Sequence, residues 1–286
     1  MALTNFIPEV WSARLLANLH KNLVYGQEGV INRDYEGEIV EAGDTVRINA
    51  VGPVTVSDYT RNSDHDTPET LSDAETILQI TQAKMFNFQI DDVDRAQQKP
   101  SVMDGAMREA GYALADTADQ FIAGKYLEAA AANLIGSTAA PKTDLGTGGR
   151  AYEYLVDLKV KLDEANVPRW GRWCVVPPWY EGLLLKDDRF VSYGTAENRE
   201  NLANGEVGRA AGFRLLVSNN VPNTTGAKFR IVAGHPLAWS FAEQIRKVEA
   251  FRPERRFADA VKGLHLYGVK VVRPVGLAVL TADQPA

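Results

Sequence analysis

The fold is decided by residues 36–90, which read EGEIVEAGDTVRINAVGPVTVSDYTRNSDHDTPETLSDAETILQITQAKMFNFQI. Two segments of β-type sequence, about 38–56 and 70–90, flank a polar segment at 61–68 with almost no apolar residue. Within the two segments, TVRIN at 45–49 and FNFQI at 86–90 alternate polar and apolar side chains, which is typical of strands with one buried face. The stretch therefore predicts a long β-hairpin with a polar tip.

The predicted hairpin also carries most of the charge of the chain. Residues 36–84 hold ten acidic and three basic residues, a net charge of −7, whereas the whole chain has a net charge of −6. Each leg could extend roughly 60 Å at ~3.3 Å per residue, while a compact domain of this length is about 50 Å across. An arm this long and of one charge sign is expected to lie on something other than its own core. The pattern leaves open an alternative in which the legs fold back into an ordinary antiparallel sheet.

A long helix is predicted after the hairpin. Pro100 and Ser101 precede an apolar stripe with spacings of three and four that persists to about Leu134, which indicates a helix of some 32 residues. A short amphipathic helix is predicted at 10–23, and the Gly-, Ala-, Thr- and Pro-rich segment 136–149 predicts a linker. Beyond it, the patterns predict helices at 152–165 and 179–185, a polar loop at 187–207, and strands at 173–176, 213–218, 229–233, 237–241, 245–251 and 264–272. This order predicts an α+β fold with mixed or antiparallel sheets.

Composition excludes several classes of protein. A hydrophobic content of 45% in 286 residues is enough for a real core. The net charge of −6 argues against sequence-independent nucleic-acid binding by the whole surface. The single cysteine, Cys174, cannot form an intramolecular disulfide, and no signal peptide or membrane-spanning run is present.

No pattern in the sequence predicts catalytic, cofactor-binding or metal-binding residues. The segment GSTAAPKT at 136–143 departs from a phosphate-binding loop at Pro141, which lacks the backbone N–H that would hold a phosphate. The four histidines are scattered and form no HExxH motif. Asp64-His65-Asp66 could bind a metal ion, but its polar surroundings favour a solvated tip.

The order of segments resembles the major capsid protein of tailed bacteriophages, with its Hong Kong 97-type fold. The matching text is FIPEVW at 6–11, the stretch from GDTVRI at 43–48 to FNFQIDD at 86–92, and YGVKVVRP at 267–274, which resembles the closing strand of that family. The resemblance implies an N-terminal arm (1–35), an extended β-hairpin loop (36–90), a peripheral domain with a spine helix (91–145), an axial domain of mixed sheet and helices (146–243), and return strands to the peripheral domain with a closing strand (244–286).

The resemblance also implies a function. Copies of the chain would form pentamers and hexamers that close into an icosahedral shell around double-stranded DNA, which is enclosed without sequence-specific binding. The implied partners are other copies, a scaffolding protein, a portal protein and, in some systems, decoration proteins, with no membrane partner and no cofactor. The chain would reside in the virion capsid, and in the host cytoplasm before assembly. Two alternatives are an encapsulin-like nanocompartment and an enzyme with a pocket near His235 and Arg256.

The sequence differs from that capsid family in two respects, and each difference leads to a more specific expectation. Some members are cross-linked through a lysine in the extended loop, but the loop here has only Lys84, at the base of its return leg. The shell is therefore expected to lack covalent cross-links. Some members also carry an N-terminal scaffolding segment, whereas this chain starts with Met1 at the arm, which favours a separate scaffolding protein over a cleaved segment.

The charge distribution suggests how neighbouring copies meet. An acidic loop on an otherwise nearly neutral body is expected to dock on basic residues of the next copy. The candidate inter-subunit contact residues are Arg47, Asp58, Arg61, Asp73, Glu75, Arg252, Arg255 and Arg256. A solvated surface is the alternative reading of the RPERR cluster at 252–256.

Overall fold

The computed structural model describes residues 24–34, 45–51, 56, 58, 61, 73–91, 101–187, 208–224, 226, 228–255 and 257–285. The predicted helix at 10–23 and almost all of the predicted tip and of the loop at 187–207 lie outside these residues. The described strands form a two-stranded, a three-stranded and a seven-stranded sheet. They are β1 (Thr45–Val51), β2 (Asp73–Gln79), β3 (Gln82–Asp91), β4 (Leu134–Ile135), β5 (Trp173–Val176), β6 (Arg209–Ala210), β7 (Phe213–Val217), β8 (Asn223–Thr224), β9 (Lys228–Gly234), β10 (Trp239–Phe251), β11 (Ala258–Val271) and β12 (Leu277–Asp283).

The hairpin is present, but its return leg forms two strands that belong to different sheets. Strands β1 and β2 pair antiparallel from Thr45 opposite Gln79 to Val51 opposite Asp73, which confirms the strand predicted at 45–49. The chain then leaves this ladder, and β3 pairs antiparallel with β11 in the three-stranded sheet β10–β11–β3. Phe86 and Phe88 are partly buried against the main core, as their alternation predicted. The free hairpin is therefore shorter than the 36–90 stretch.

Helix α1 (Ser101–Gly124) packs on one face of the three-stranded sheet, but the prediction that it continues to Leu134 is wrong. Its side chains Met107, Leu114, Ala118 and Ile122 are buried, in agreement with the apolar stripe. After Gly124 the chain forms 3-10 turns at Lys125–Glu128 and Ala131–Asn133, separated by extended residues. The backbone N–H of Ala130 donates to Pro274 O instead of continuing a helical ladder.

The seven-stranded sheet contains a strand that the sequence patterns did not predict. β12 lies between β4, with which it is parallel, and β9, with which it is antiparallel, and six of its seven residues are buried. The rest of the order is β9–β5–β7–β6, with β8 on β9 and a parallel β5–β7 pair. β12 therefore belongs to the same sheet as β5 and β9.

Two cores pack against opposite faces of the seven-stranded sheet. One lies under helices α2 (Arg150–Glu164) and α3 (Pro178–Leu185), both at their predicted positions. The other is shared with α1 and the three-stranded sheet. Residues 24–34 belong to this second core, since Tyr25, Val30 and Ile31 are buried in it. The described part of the predicted N-terminal arm is therefore an integral part of the body.

Candidate interaction surfaces

The base of the hairpin is fixed to the body by a small separate core. Gly268 of β11 lies so close to the end of β2 that a Cβ atom there would be 2.3 Å from Gln79 O. Only glycine allows this approach without displacing the backbone. The apolar side chains that form the small core are Ile48, Leu78 and Ile80 of the hairpin, with Ala242 and Leu266 of the three-stranded sheet.

Beyond this base the hairpin has little support from its own chain. Strands β1 and β2 have no third strand within the described residues, and an isolated pair of strands is only marginally stable in water. Val56, past the end of the ladder, is 93% exposed, and Ile77 is 43% exposed. A hairpin of this kind gains stability when another surface covers it.

Five of the predicted contact residues, three acidic and two basic, lie at or near the β1–β2 ladder of the hairpin. Asp73 faces Val51 and Glu75 faces Asn49 across the β1–β2 ladder, and Arg47 faces Ile77. Asp58 and Arg61 lie beyond the end of the ladder, and both are exposed. Of these candidates, Arg47, Asp73 and Glu75 lie within the β1–β2 ladder.

The other predicted contact residues, all basic, lie on a different element, the turn between β10 and β11. Arg252 and Arg255 are exposed there, and Arg252 Nε is 3.5 Å from Asp259 Oδ1; Arg256 lies outside the described residues. This turn precedes Ala258, whereas the hairpin base packs at Leu266, about 26 Å further along β11 at ~3.3 Å per residue. The structure therefore does not bring the basic turn to the hairpin base of the same chain.

Two buried carboxylates attach residues 24–34 to the body, and sequence patterns gave no signal for either. Glu243 of β10 accepts hydrogen bonds from Arg33 and from His265 Nε2, the latter at 3.2 Å. Burial alone would raise the pKa of Glu243, but the hydrogen bond from His265 and the charge of Arg33 together lower it. Arg33 also donates to Gly26 O at 2.8 Å, so the same side chain links the two ends of the 24–34 segment.

The second carboxylate is Asp119 of α1, which is 1% exposed. Its Oδ1 accepts the backbone N–H groups of Val24 at 2.9 Å and Tyr25 at 2.7 Å, and its Oδ2 accepts from Asn220 Nδ2 at 3.1 Å. Burial raises the pKa of Asp119, although these hydrogen bonds oppose the rise. One side chain thus joins the N-terminal segment, the helix and the loop before β8.

Two features of the described residues bear on the enzyme alternative, a cleft and the buried His235. A cleft of about 740 Å³ is lined by residues 27–29, 31–34, 236 and 237, with Arg33, Glu28 and Asp34 as its charged groups. His235, suggested for an enzymatic site, is 2% exposed, and its Nδ1 accepts the N–H of Leu237. Burial lowers the pKa of His235. Within the described ranges, no cluster of three or more His, Cys, Asp or Glu could hold a metal ion, and no helix is long and apolar enough to span a membrane.

The segment at 136–143 also lacks the geometry of a phosphate-binding loop. A two-residue strand, β4, precedes it directly, where a helix had been expected, and α2 begins only at Arg150. Ser137 and Ala140 are hydrogen-bonded to each other, and the backbone of Lys142 bonds to Thr281 O in β12. The segment is therefore a connection whose backbone is hydrogen-bonded to β12 at Lys142.

Comparison with known families gives one match that covers most of the chain. The model of the family described as phage capsid protein matches residues 73–280. No curated protein sequence matches the chain.

Solved structures resemble the chain over nearly its whole length. A chain from Mycobacterium phage Che8 shares 30% identity and a TM-score of 0.70, with 98% of each chain covered. The capsid structure of the cyanophage P-SCSP1u gives 21% identity and a TM-score of 0.69, with 85% of this chain and 84% of that chain covered. The holo-SrpI encapsulin complex of Synechococcus elongatus PCC 7942 is less similar, with 15% identity, a TM-score of 0.54, and 86% of this chain and 85% of that chain covered.

Proposed function

Because this chain belongs to the phage capsid protein family, we propose that its copies assemble as pentamers and hexamers into a closed icosahedral shell around phage double-stranded DNA. The chain is a major capsid protein, and its role is to build the shell of a bacteriophage. The hexameric and pentameric arrangement, the enclosed DNA, and scaffolding, portal and decoration partners are part of the proposal. So are a stay in the host cytoplasm before assembly and a shell held together without covalent cross-links.

The observation that carries this proposal is the hairpin. Its base is packed into the body through Ile48, Leu78 and Ile80, while the rest forms a two-stranded ladder of its own. In a monomer such a ladder would be largely solvated, but in a shell it can lie across the next copy. Many weak contacts of this kind act together, so no single one needs to be strong.

We propose further that charge guides the hairpin to its neighbour. The hairpin carries Asp58, Asp73 and Glu75, and the β10–β11 turn of each copy presents Arg252 and Arg255 to solvent. Because these elements lie apart in one chain, their pairing would join two copies. Each exposed pair contributes only about 0–1 kcal/mol, which suits a contact that must form and rearrange during assembly.

The second candidate function is a protein nanocompartment. It is favoured by the resemblance to the SrpI encapsulin structure, although that resemblance is weaker than those to the phage structures. A nanocompartment encloses proteins, so it would close without phage components and contain no packaged genome.

Electron microscopy of the purified chain tests the proposal. Expressed with and without the neighbouring phage structural genes, the chain should give shells or capsomers with five-fold and six-fold symmetry. Uniform small shells formed by the chain alone, with co-purifying protein inside, would favour the nanocompartment. A chain that stays monomeric at all concentrations and with all phage partners would contradict both.

A further inference from the structure

Three surface turns meet where the two large sheets join. The turn at Lys125–Asn133 leads from α1 into β4, the turn at Pro236–Ala238 connects β9 to β10, and the turn at Pro274–Gly276 connects β11 to β12. Each of them links the layer of α1 and the three-stranded sheet to the seven-stranded sheet. We call them the junction turns.

Hydrogen bonds hold the junction turns in one rigid frame. Ala130 N donates to Pro274 O at 3.1 Å, and Asn133 Nδ2 donates to Val275 O at 2.7 Å. Ala238 O accepts the N–H groups of Val272 and Arg273, both at 2.9 Å. Such bonds leave the turns little freedom to fold their side chains inward.

Large apolar side chains on and beside this frame are exposed. The exposed fractions are 77% for Leu127, 71% for Trp170, 50% for Val275, 46% for Leu237 and 44% for Leu134. Trp170 is tied to the frame because its ring contacts that of His235 edge-on, at a centroid distance of 5.0 Å, and His235 N donates to Gly276 O. Five of the twelve exposed large apolar residues described in the chain therefore lie at this one junction.

The exposed apolar area of the junction turns approaches what a standard interface needs. With about 100 Å² for an aliphatic side chain and about 200 Å² for Trp, these five residues expose roughly 350 Å². A standard interface takes roughly 800 Å² from each partner, a little more than half of it apolar. Scattered exposed apolar residues are normal, whereas a concentration of a few hundred Å² is the size of the largest patch on a typical monomer, and such a patch is often functional.

We infer that the junction turns form a contact surface for a second copy of this chain. This inference rests on the proposed function, because shell assembly supplies many copies at high local concentration. It adds an apolar contact that is separate from the charged hairpin contact. Since the surface includes connections between both sheets, the second copy would cover the point at which the two layers of its neighbour meet.

A thiol-labelling experiment on assembled particles tests the surface. The native Cys174 is fully buried, so a cysteine introduced at the surface is the accessible thiol among the described residues. Val275→Cys lies on the junction turns, and Val160→Cys on α2 is a matched control, since Val275 is 50% and Val160 46% exposed. We expect maleimide labelling of Val275→Cys to slow at least ten-fold on assembly, and that of Val160→Cys to change less than two-fold. Equal labelling of Val275→Cys before and after assembly, or equal protection of both variants, would overturn the inference.

A second pair of variants separates this inference from the proposed function. Val275→Asp should reduce the yield of closed particles at least ten-fold with an unchanged unfolding midpoint, whereas Val160→Asp should assemble like the parent chain. If the parent assembles and Val275→Asp assembles equally well, the junction surface is wrong and the shell function stands. If the parent itself never assembles, the proposed function fails.

Discussion

The indole rings of Trp173 and Trp239 stack with their centroids 5.2 Å apart and their planes within 8° of parallel. Trp173 is the first residue of β5 in the seven-stranded sheet, and Trp239 is the first residue of β10 in the three-stranded sheet. Both are fully buried, and Tyr25 packs edge-on against Trp239 with its ring centroid 6.3 Å away. The stacked pair is thus a direct, fully buried contact between the two sheets.

Replacing each tryptophan with phenylalanine should give unequal losses of stability. Trp239 Nε1 donates to Val30 O at 2.7 Å, whereas Trp173 Nε1 has no acceptor within the described residues. Trp239→Phe leaves a buried carbonyl unpaired and should cost about 1–3 kcal/mol more than Trp173→Phe. Urea unfolding of the unassembled chain measures this difference. Equal losses would mean that the hydrogen bond to residues 24–34 contributes nothing.

Gly268→Ala should loosen the hairpin. The added methyl group would be 2.3 Å from Gln79 O, a backbone atom that cannot move without shifting β2, so a loss of about 1–3 kcal/mol is expected. Gly124→Ala is the matched control, because nothing lies within 4 Å of its Cβ and helix propensity should favour alanine by up to about 1 kcal/mol. Hydrogen exchange of the β1–β2 amides should be faster in the first variant only. Unchanged exchange in Gly268→Ala would contradict the tight packing at the base.

The Glu243 cluster should make stability depend on pH. Its folded-state pKa is lowered, so its contribution to stability is fully present above the unfolded value of about 4.3 and is lost as pH falls through the folded value. Glu243→Gln should cost about 3 kcal/mol at pH 7, since it removes one partner of a buried ion pair. The difference in unfolding free energy between the variant and the parent should become smaller below about pH 4. Thermal unfolding over pH 3–7 tests this, with exposed Glu109→Gln as a control whose curve should parallel the parent. A difference in stability between Glu243→Gln and the parent that stays constant with pH would contradict this prediction.

A charge swap tests the proposed hairpin contact. The double variant Asp73→Lys/Glu75→Lys should assemble poorly, and adding Arg252→Glu/Arg255→Glu should restore assembly, because each exposed pair contributes about 0–1 kcal/mol and many pairs act in one shell. Particle yield by sedimentation is the readout, and Arg209→Glu, on β6, is the control. Assembly that is indifferent to the first double variant would rule the contact out.

Mature particles should run as single subunits on denaturing gels. Lys84 is the only lysine at 36–90, and it lies in β3 opposite His265 within the body. No lysine is therefore available on the hairpin to form an isopeptide bond with a neighbour. Boiling mature particles in detergent and resolving them by electrophoresis checks this expectation. A ladder of covalent oligomers would overturn it.

Local sequence patterns predicted the strands and the helix that bury only one of their faces. The alternation at 45–49 and 86–90 and the stripe from Met107 to Ile122 each place one face against a core. β12 was missed because LAVLTAD at 277–283 is buried on both faces and therefore shows no alternation of polar and apolar side chains. The end of α1 was missed because Tyr126 and Ala129 continue the apolar spacing while packing from a 3-10 turn and the residue after it into the same core.

The residues of the interaction surfaces were harder to predict from the sequence than the strands and helices. Arg252 and Arg255 could be chosen by charge alone, but their separation from the hairpin base depends on the β3–β11 pairing. Asp119 and Glu243 hold residues 24–34 through contacts 94 and 210 residues apart in sequence, which no local pattern encodes. The junction turns combine three connections that only the full topology brings together.

The position of β12 sets the order in which the chain can fold. Residues 277–283 are inserted between β4 and β9, so the seven-stranded sheet stays split until that part of the chain has left the ribosome. Until then β9 presents an unpaired edge, and partly formed sheet edges are prone to aberrant association. A nascent chain therefore cannot complete the seven-stranded sheet, or assemble with its neighbours as a folded body, before residue 283 has been translated.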